Sequence, residues 1–218
     1  MIDLSAPALR RWLVLPRLAL VCIGLIFGGL ALGLLLGGVM PLPYAREADA
    51  VAAYVRNEPA AIRVIATAVF ASAIPLAIYV AKAAARLRLL GATRPATATA
   101  LTGGSLAAAA LALTGVLGWV LSLHGPRADP VLARSLYFTA FLVGGPAHLM
   151  ALGFLVAGIA VPSLTLGLLP DALSWTGLVI AALAELTLLA LAWPPLGFVL
   201  PIALIAGLVW LVVAGARL

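Results

Sequence analysis

Apolar residues are gathered into six long runs: Leu18 to Met40, Ile62 to Ala81, Leu101 to Leu123, Leu136 to Val161, Leu173 to Trp193 and Leu196 to Ala214. Each is close to or above the ~20 residues that a helix needs to cross a bilayer. Polar punctuation separates them. Pro41 and Pro43 close the first, Gly91 and Pro95 separate the second from the third, and Gly125 and Pro126 separate the third from the fourth. Pro162 and Pro170 bracket the fourth loop, and Pro194-Pro195 makes the last turn tight. Backbone groups in hydrocarbon must be satisfied within their own segment, so the pattern predicts an all-α, polytopic integral membrane protein. It is read as one domain over residues 1–218, a six-helix transmembrane bundle. The fourth run is long enough for strong tilt or for a kink at Pro146.

One polar stretch stands out between the first two runs, from Tyr44 to Asn57. Val51, Tyr54, Val55 and Glu58 recur there at helical spacing, with Arg46, Glu47, Asp49 and Arg56 elsewhere around the axis. The pattern suits a short helix over about 44–57, lying in the interface with its tyrosines at headgroup depth. A helical connector is preferred to a lid over the bundle.

Composition agrees with a lipid solvent. Hydrophobic residues make up 65% of the chain and charged residues 9%, where a soluble domain carries about 25% charged residues. The mean hydropathy is +1.23. A net charge of +6 would raise nucleic acid as a partner. The arginines, however, lie in short loops beside apolar runs and form no basic face, so no nucleic-acid binding is expected. They report topology instead. With a cytoplasmic N-terminus, Arg10, Arg11, Arg17, Lys82, Arg86, Arg88, Arg94 and Arg217 lie inside. Arg46, Arg56, Arg63, Arg127 and Arg134 then lie outside, together with Glu47, Asp49, Glu58 and Asp129. The basic excess inside predicts both termini in the cytoplasm. The fourth loop dissents mildly, since it carries only Asp171.

Two N-terminal patterns are set aside. Arg10-Arg11 before an apolar run suggests a twin-arginine signal, but the run lacks an A-x-A-like cleavage site. Ala19-Leu20-Val21-Cys22 is a poor lipoprotein box, because Val21 is not small. The first run is therefore expected to be a retained signal-anchor. Cys22, the sole cysteine, permits no disulfide within the chain.

The chemical clues are few. Glu185 sits inside the fifth run, where a central charge costs roughly 2.5–3.5 kcal/mol on insertion scales, so a partner facing the bundle interior is expected. His148, near the middle of the fourth run, is the best partner by depth. It shares a face with Gly144, Gly145 and Ala151, and Glu185 shares one with Ala181, Ala182 and Leu178. A hydrogen bond between the two is expected across antiparallel neighbours; a lone glutamate would sit neutral and donate a hydrogen bond. The pair reads either as a proton-coupled or cation-binding site or as a polar clasp that fixes helix register, and the clasp is preferred. In the second run Ser72, Pro75 and Tyr79 share a face, read as an ordinary proline kink in preference to a ligand-lining notch. Gly29, Gly33 and Gly37 repeat every fourth residue, with Gly24 and Gly28 on a nearby stripe. Such ridges let helix backbones approach closely, and packing within the bundle is preferred to a dimer face.

Enzyme signatures are missing. Gly103-Gly104-Ser105 approaches an intramembrane serine protease loop, but Leu106 stands where glycine would be expected. No His/Cys/Asp cluster has zinc spacing, His124 lies at a different depth from His148, and no P-loop or dinucleotide fingerprint occurs. No catalytic residue, metal or cofactor is expected.

Three segments carry a family likeness: Ala48-Asp49-Ala50-Val51-Ala52-Ala53-Tyr54-Val55-Arg56, Ala85-Arg86-Leu87-Arg88, and Leu173-Ser174-Trp175-Thr176-Gly177. With them the chain resembles an uncharacterised family of six-span bacterial membrane proteins, a domain of unknown function. The resemblance implies six helices and brings no activity or ligand. Two functions are expected of such a chain in a bacterial cytoplasmic membrane. One is a small transporter, channel or proton-linked sensor built on His148 and Glu185, with Ser72 and Tyr79. The other is a non-enzymatic subunit or scaffold that docks a second copy or another membrane protein through small-residue faces.

Overall fold

A computed structural model describes residues 14–41, 48–123, 125 and 128–218. The expectations for Arg10-Arg11, Arg46, Glu47, His124 and Arg127 lie outside these residues. Helix α1 covers Val14–Gly37, the short α2 Ala48–Asn57, α3 Pro59–Leu89 and α4 Arg94–Leu121. Next come α5 (Pro130–Leu142), a π-helical segment (Val143–Ala147) and α6 (His148–Leu166), which together form one continuous helix. Helix α7 spans Asp171–Leu186, α8 Leu189–Ala192, and α9 Val199–Arg217 after a 3-10 turn at Pro194–Phe198. No strand occurs among the described residues.

Among the described residues five helical stretches are long and apolar enough to cross a membrane: Val14–Gly37, Pro59–Leu89, Arg94–Leu121, Pro130–Leu166 and Leu196–Arg217. The fifth apolar run behaves differently from its expected single helix. It folds as α7, a turn at Thr187–Leu188, and the four-residue α8. Two local causes are visible. The buried Thr187 hydroxyl donates back to the Ala184 carbonyl at 2.6 Å, which favours a turn there. Pro194 also pushes Trp193 into extended backbone, so helix cannot continue through it. At about 1.5 Å per residue, the sixteen residues of α7 give roughly 24 Å, less than a full hydrocarbon crossing.

Helix ends follow local chemistry. Asp129 caps α5 by accepting hydrogen bonds from the amides of Val131 (2.9 Å) and Leu132 (3.2 Å), with Pro130 in the first turn. Gly167, at a φ of 63°, ends α6 in the left-handed conformation that glycine adopts freely. Helix α3 passes through Pro75 unbroken.

Helix α3 packs on α1 and α4, α4 on α6, and α6 on α7, while α9 returns to α7 and α1 and closes the bundle. The glycine ridge of α1 belongs to this packing. A Cβ on Gly29 would collide with Ala68, one on Gly33 with Ile65, and one on Gly37 with Ala61, all on α3. Gly24 and Gly28 face open space. Contacts of Gly29 with Ala68 and of Gly37 with Ala61 and Glu58 make α1 and α3 antiparallel, and Val80 against Gly104 and Ala66 against Gly118 do the same for α3 and α4. Gly215 meets Leu15 and Tyr79. Arg17, Lys82, Arg86, Arg88, Arg94 and Arg217 therefore gather at one end, and Arg56, Glu58, Arg63, Asp129 and Arg134 at the other.

Helix α2 sits at the second end. Its Val51, Tyr54 and Val55 pack against Ile62, Leu121, Ala133 and Tyr137 in a small apolar cluster apart from the main core. Tyr137 reinforces it by donating its hydroxyl hydrogen to the carbonyl of Pro41.

Candidate functional site

The π-helical segment is the most unusual piece of backbone in the bundle. Gly144-Gly145-Pro146 occupies it, and His148 follows directly. Proline offers no N–H and cannot complete a regular α-helical ladder, and single π turns inside α-helices concentrate at working sites. Missing side chains bring neighbouring helices close at this level. A Cβ on Gly144 would stand 2.7 Å from Cγ2 of Thr114, and one on Gly145 2.9 Å from Cδ2 of Leu200.

Beside this segment lies a cavity of about 350 Å³. Its wall is built from α1 (Ile26, Leu30), α3 (Ile62, Ile65, Ala66, Val69) and α4 (Leu111, Thr114, Gly118, Leu121). The continuous helix from α5 to α6 adds Tyr137, Ala140, Phe141, Gly144, Gly145, His148 and Leu149, and α9 adds Leu200, Pro201 and Leu204. Ile62, Leu121 and Tyr137 also belong to the α2 cluster, so α2 covers one end of the cavity. Among the described residues no charged side chain lines it, and the polar ones that do are Thr114, Tyr137 and His148.

His148 is completely buried, and its Nδ1 lies 2.9 Å from the carbonyl oxygen of Ala107 on α4. A carbonyl only accepts, so Nδ1 carries the hydrogen. The second nitrogen, Nε2, has no hydrogen-bond partner among the described residues. An imidazolium here would be an unpaired charge in an apolar wall, which strongly favours the neutral ring.

The expected His148–Glu185 hydrogen bond is absent. Glu185 instead faces α6 at Gly153, where an added Cβ would stand 2.9 Å from its Oε1. Gly153 is five residues beyond His148, or about 7.5 Å of helix rise. Half-buried, the Glu185 carboxylate makes no hydrogen bond or ion pair with any described residue. Its buried neighbours are Ala181 and Ala184, whereas Ala182, expected on that face, is exposed. The two side chains therefore face different partners on different levels of α6.

Ser72 and Tyr79 also stand apart from the cavity. Ser72 donates to the carbonyl of Val69 on its own helix at 2.6 Å, and Tyr79 to the carbonyl of Leu211 on α9 at 2.8 Å. Both are fully buried. These bonds satisfy the hydroxyls inside the bundle and, for Tyr79, tie α3 to α9. Of the four polar residues singled out by sequence, only His148 lines the cavity.

No family model, curated protein or solved structure matches the chain. The likeness to a six-span family rests on the three short sequence segments alone.

Sequence alone does not single out Thr114, Tyr137 or a π-helical turn. Thr114 and Tyr137 carry no special spacing in sequence. The glycine pair before Pro146 is the one visible signal, because a Gly-Gly-Pro step at the centre of a long apolar run marks a place where regular helix is hard to sustain.

Proposed function

We propose that this chain is a bacterial cytoplasmic-membrane protein of six membrane helices, both termini inside, that holds a small apolar molecule in the cavity beside His148. The activity is binding or carriage, not catalysis. The observation that carries this reading is the cavity itself. At about 350 Å³ it falls within the roughly 300–1,000 Å³ range of small-molecule sites, and its wall is apolar except for three hydrogen-bonding side chains. It is large enough for one small molecule or one chain of a lipid.

A charged pathway is disfavoured on two grounds. No carboxylate or cation among the described residues lines the cavity, and His148 and Glu185 do not form a unit. The scaffold reading loses its main surface, because Gly29, Gly33 and Gly37 are already engaged by α3. The orientation is supported by the gathering of Arg17, Lys82, Arg86, Arg88, Arg94 and Arg217 at one end. The sixth crossing is supported by α7 and the 187–198 segment, which together join the end holding Gly167 to the far end of α9.

The test uses purified protein in dodecyl maltoside. Undecane should raise the melting temperature of the wild type. Ala140→Phe, which projects a ring from the cavity wall, should abolish that rise. Equal stabilisation of both proteins would place the alkane elsewhere.

A further inference from the structure

All three polar side chains of the cavity wall have committed their hydrogens to backbone carbonyls. Thr114 Oγ1 donates to the carbonyl of Ala110 at 2.8 Å. Tyr137 donates its hydroxyl hydrogen to the carbonyl of Pro41. His148 Nδ1–H donates to the carbonyl of Ala107 at 2.9 Å. Each side chain then has only lone pairs left to offer: an oxygen on Thr114, an oxygen on Tyr137 and Nε2 on His148. Pro146 and Pro201 remove two backbone donors from the surrounding helices. The wall accepts hydrogen bonds and donates none from its side chains.

Nε2 of His148 is the strongest of these acceptors and the least satisfied. It is fully buried and has no partner among the described residues, a condition that costs roughly 1–3 kcal/mol when nothing relieves it. We propose that the cavity selects a hydrogen-bond donor: its occupant is an apolar molecule bearing a hydroxyl, an alcohol or a phenol, whose O–H donates to Nε2 of His148. The inference rests on the cavity reading above and names the ligand class for that same site. Ketones, ethers and other acceptor-only molecules are disfavoured, because their oxygen would face lone pairs. Carboxylates are disfavoured further, since no cation among the described residues lines the wall.

Four probes of equal heavy-atom number test it: 1-decanol, 2-decanone, methyl nonyl ether and undecane. They are titrated calorimetrically into the purified protein in dodecyl maltoside. With wild type, 1-decanol should bind about fivefold more tightly than the ketone or the ether, the size of one net hydrogen bond. In His148→Phe that preference should vanish while undecane still binds. A second readout does not depend on that variant. The chain has two histidines, so His124→Gln leaves one imidazole in a ¹⁵N spectrum. Its Nε2 resonance should begin at the position of an unprotonated nitrogen and move with 1-decanol but not with the ether. Equal affinity for alcohol and ether, or an unmoved Nε2 resonance on saturation with alcohol, overturns the proposal while leaving the apolar cavity intact. Failure of all four probes, undecane included, overturns the cavity reading and the selection with it.

Discussion

Gly158→Ala is the sharpest perturbation of the bundle. Gly158 on α6 lies against Ala100 on α4, and both are buried. An added Cβ would press on the Ala100 amide nitrogen and stand 2.6 Å from its Cα and 2.8 Å from its Cβ. Those atoms belong to helix backbone or its first carbon, so no side-chain rotation relieves them. To reach ordinary contact at 3.4 Å from that Cα, the helices must part by about 0.8 Å. A gap of ~0.5–1 Å already forfeits a quarter to a half of each van der Waals well across the interface. The same separation strains the His148–Ala107 hydrogen bond, which joins the same two helices at 2.9 Å. Overpacking a tight core costs roughly 1–3 kcal/mol, and the upper half of that range is expected here. Gly28→Ala is the matched control: nothing lies within 4 Å of its Cβ, and alanine favours helix over glycine by roughly 0.5–1 kcal/mol. Unfolding free energies from SDS titration of dodecyl maltoside micelles measure both. If Gly158→Ala costs no more than Gly28→Ala, the α4–α6 contact is not as close as described and the reasoning fails.

Three further outcomes are expected. Cysteines at the exposed positions Asn57 and Thr93 should differ in intact cells, with an impermeant thiol reagent labelling Asn57→Cys and sparing Thr93→Cys; the reverse pattern would invert the orientation. Tyr54→Phe should leave stability unchanged or raise it by up to about 1 kcal/mol, because the Tyr54 hydroxyl is buried without a partner among the described residues. Burial, and secondarily the Glu58 carboxylate, raise the Tyr54 pKa above its ordinary 10.0. The folded state therefore holds this proton more tightly than the unfolded chain, and the linked stability is full below pH 10.0 and falls as pH rises through the raised value. Denaturation profiles should show a smaller alkaline loss in Tyr54→Phe, and identical slopes would contradict it. Finally, His148→Ala and Glu185→Gln should be additive to within about 0.3–0.5 kcal/mol in a double-mutant cycle; a coupling near the ~0.6 kcal/mol average for intramembrane hydrogen bonds would mean that they touch after all.

Hydropathy located the helices well and their ends poorly, for a physical reason. Charge interrupts an apolar run long before it interrupts a helix. The second run stops at Ala81 because Lys82 follows, yet α3 continues to Leu89 and buries Ala83, Ala84 and Leu87 on the face away from the charges. The fifth run errs in the other direction, since apolar character persists through Leu188 and Leu191 while the backbone has already turned at Thr187. Small residues were more informative than boundaries. The four-residue spacing of Gly29, Gly33 and Gly37 is a statement about one helix face, and α3 occupies that face.

The polar site shows where such reasoning stops. Counting residues from a span end gives depth, and helical periodicity gives relative direction within one helix. Neither gives the rotation of one helix against its neighbour, which is set by contacts spread over the whole interface. Gly153 decides the matter for Glu185: the missing side chain on α6 makes room for the carboxylate there, one and a half turns from His148. His148 is turned instead toward α4, where the carbonyl of Ala107 takes its one hydrogen. Backbone acceptors are invisible to a search for complementary side chains, and the polar residues named above use them. Ser72, Tyr79, Thr114, Tyr137 and His148 all donate to carbonyls, none to another side chain. In hydrocarbon a donor without water takes the nearest carbonyl within reach. The polar side chains are thereby left as acceptors. The chemical character of the cavity follows from that bias, and not from any pairing of ionisable residues along the chain.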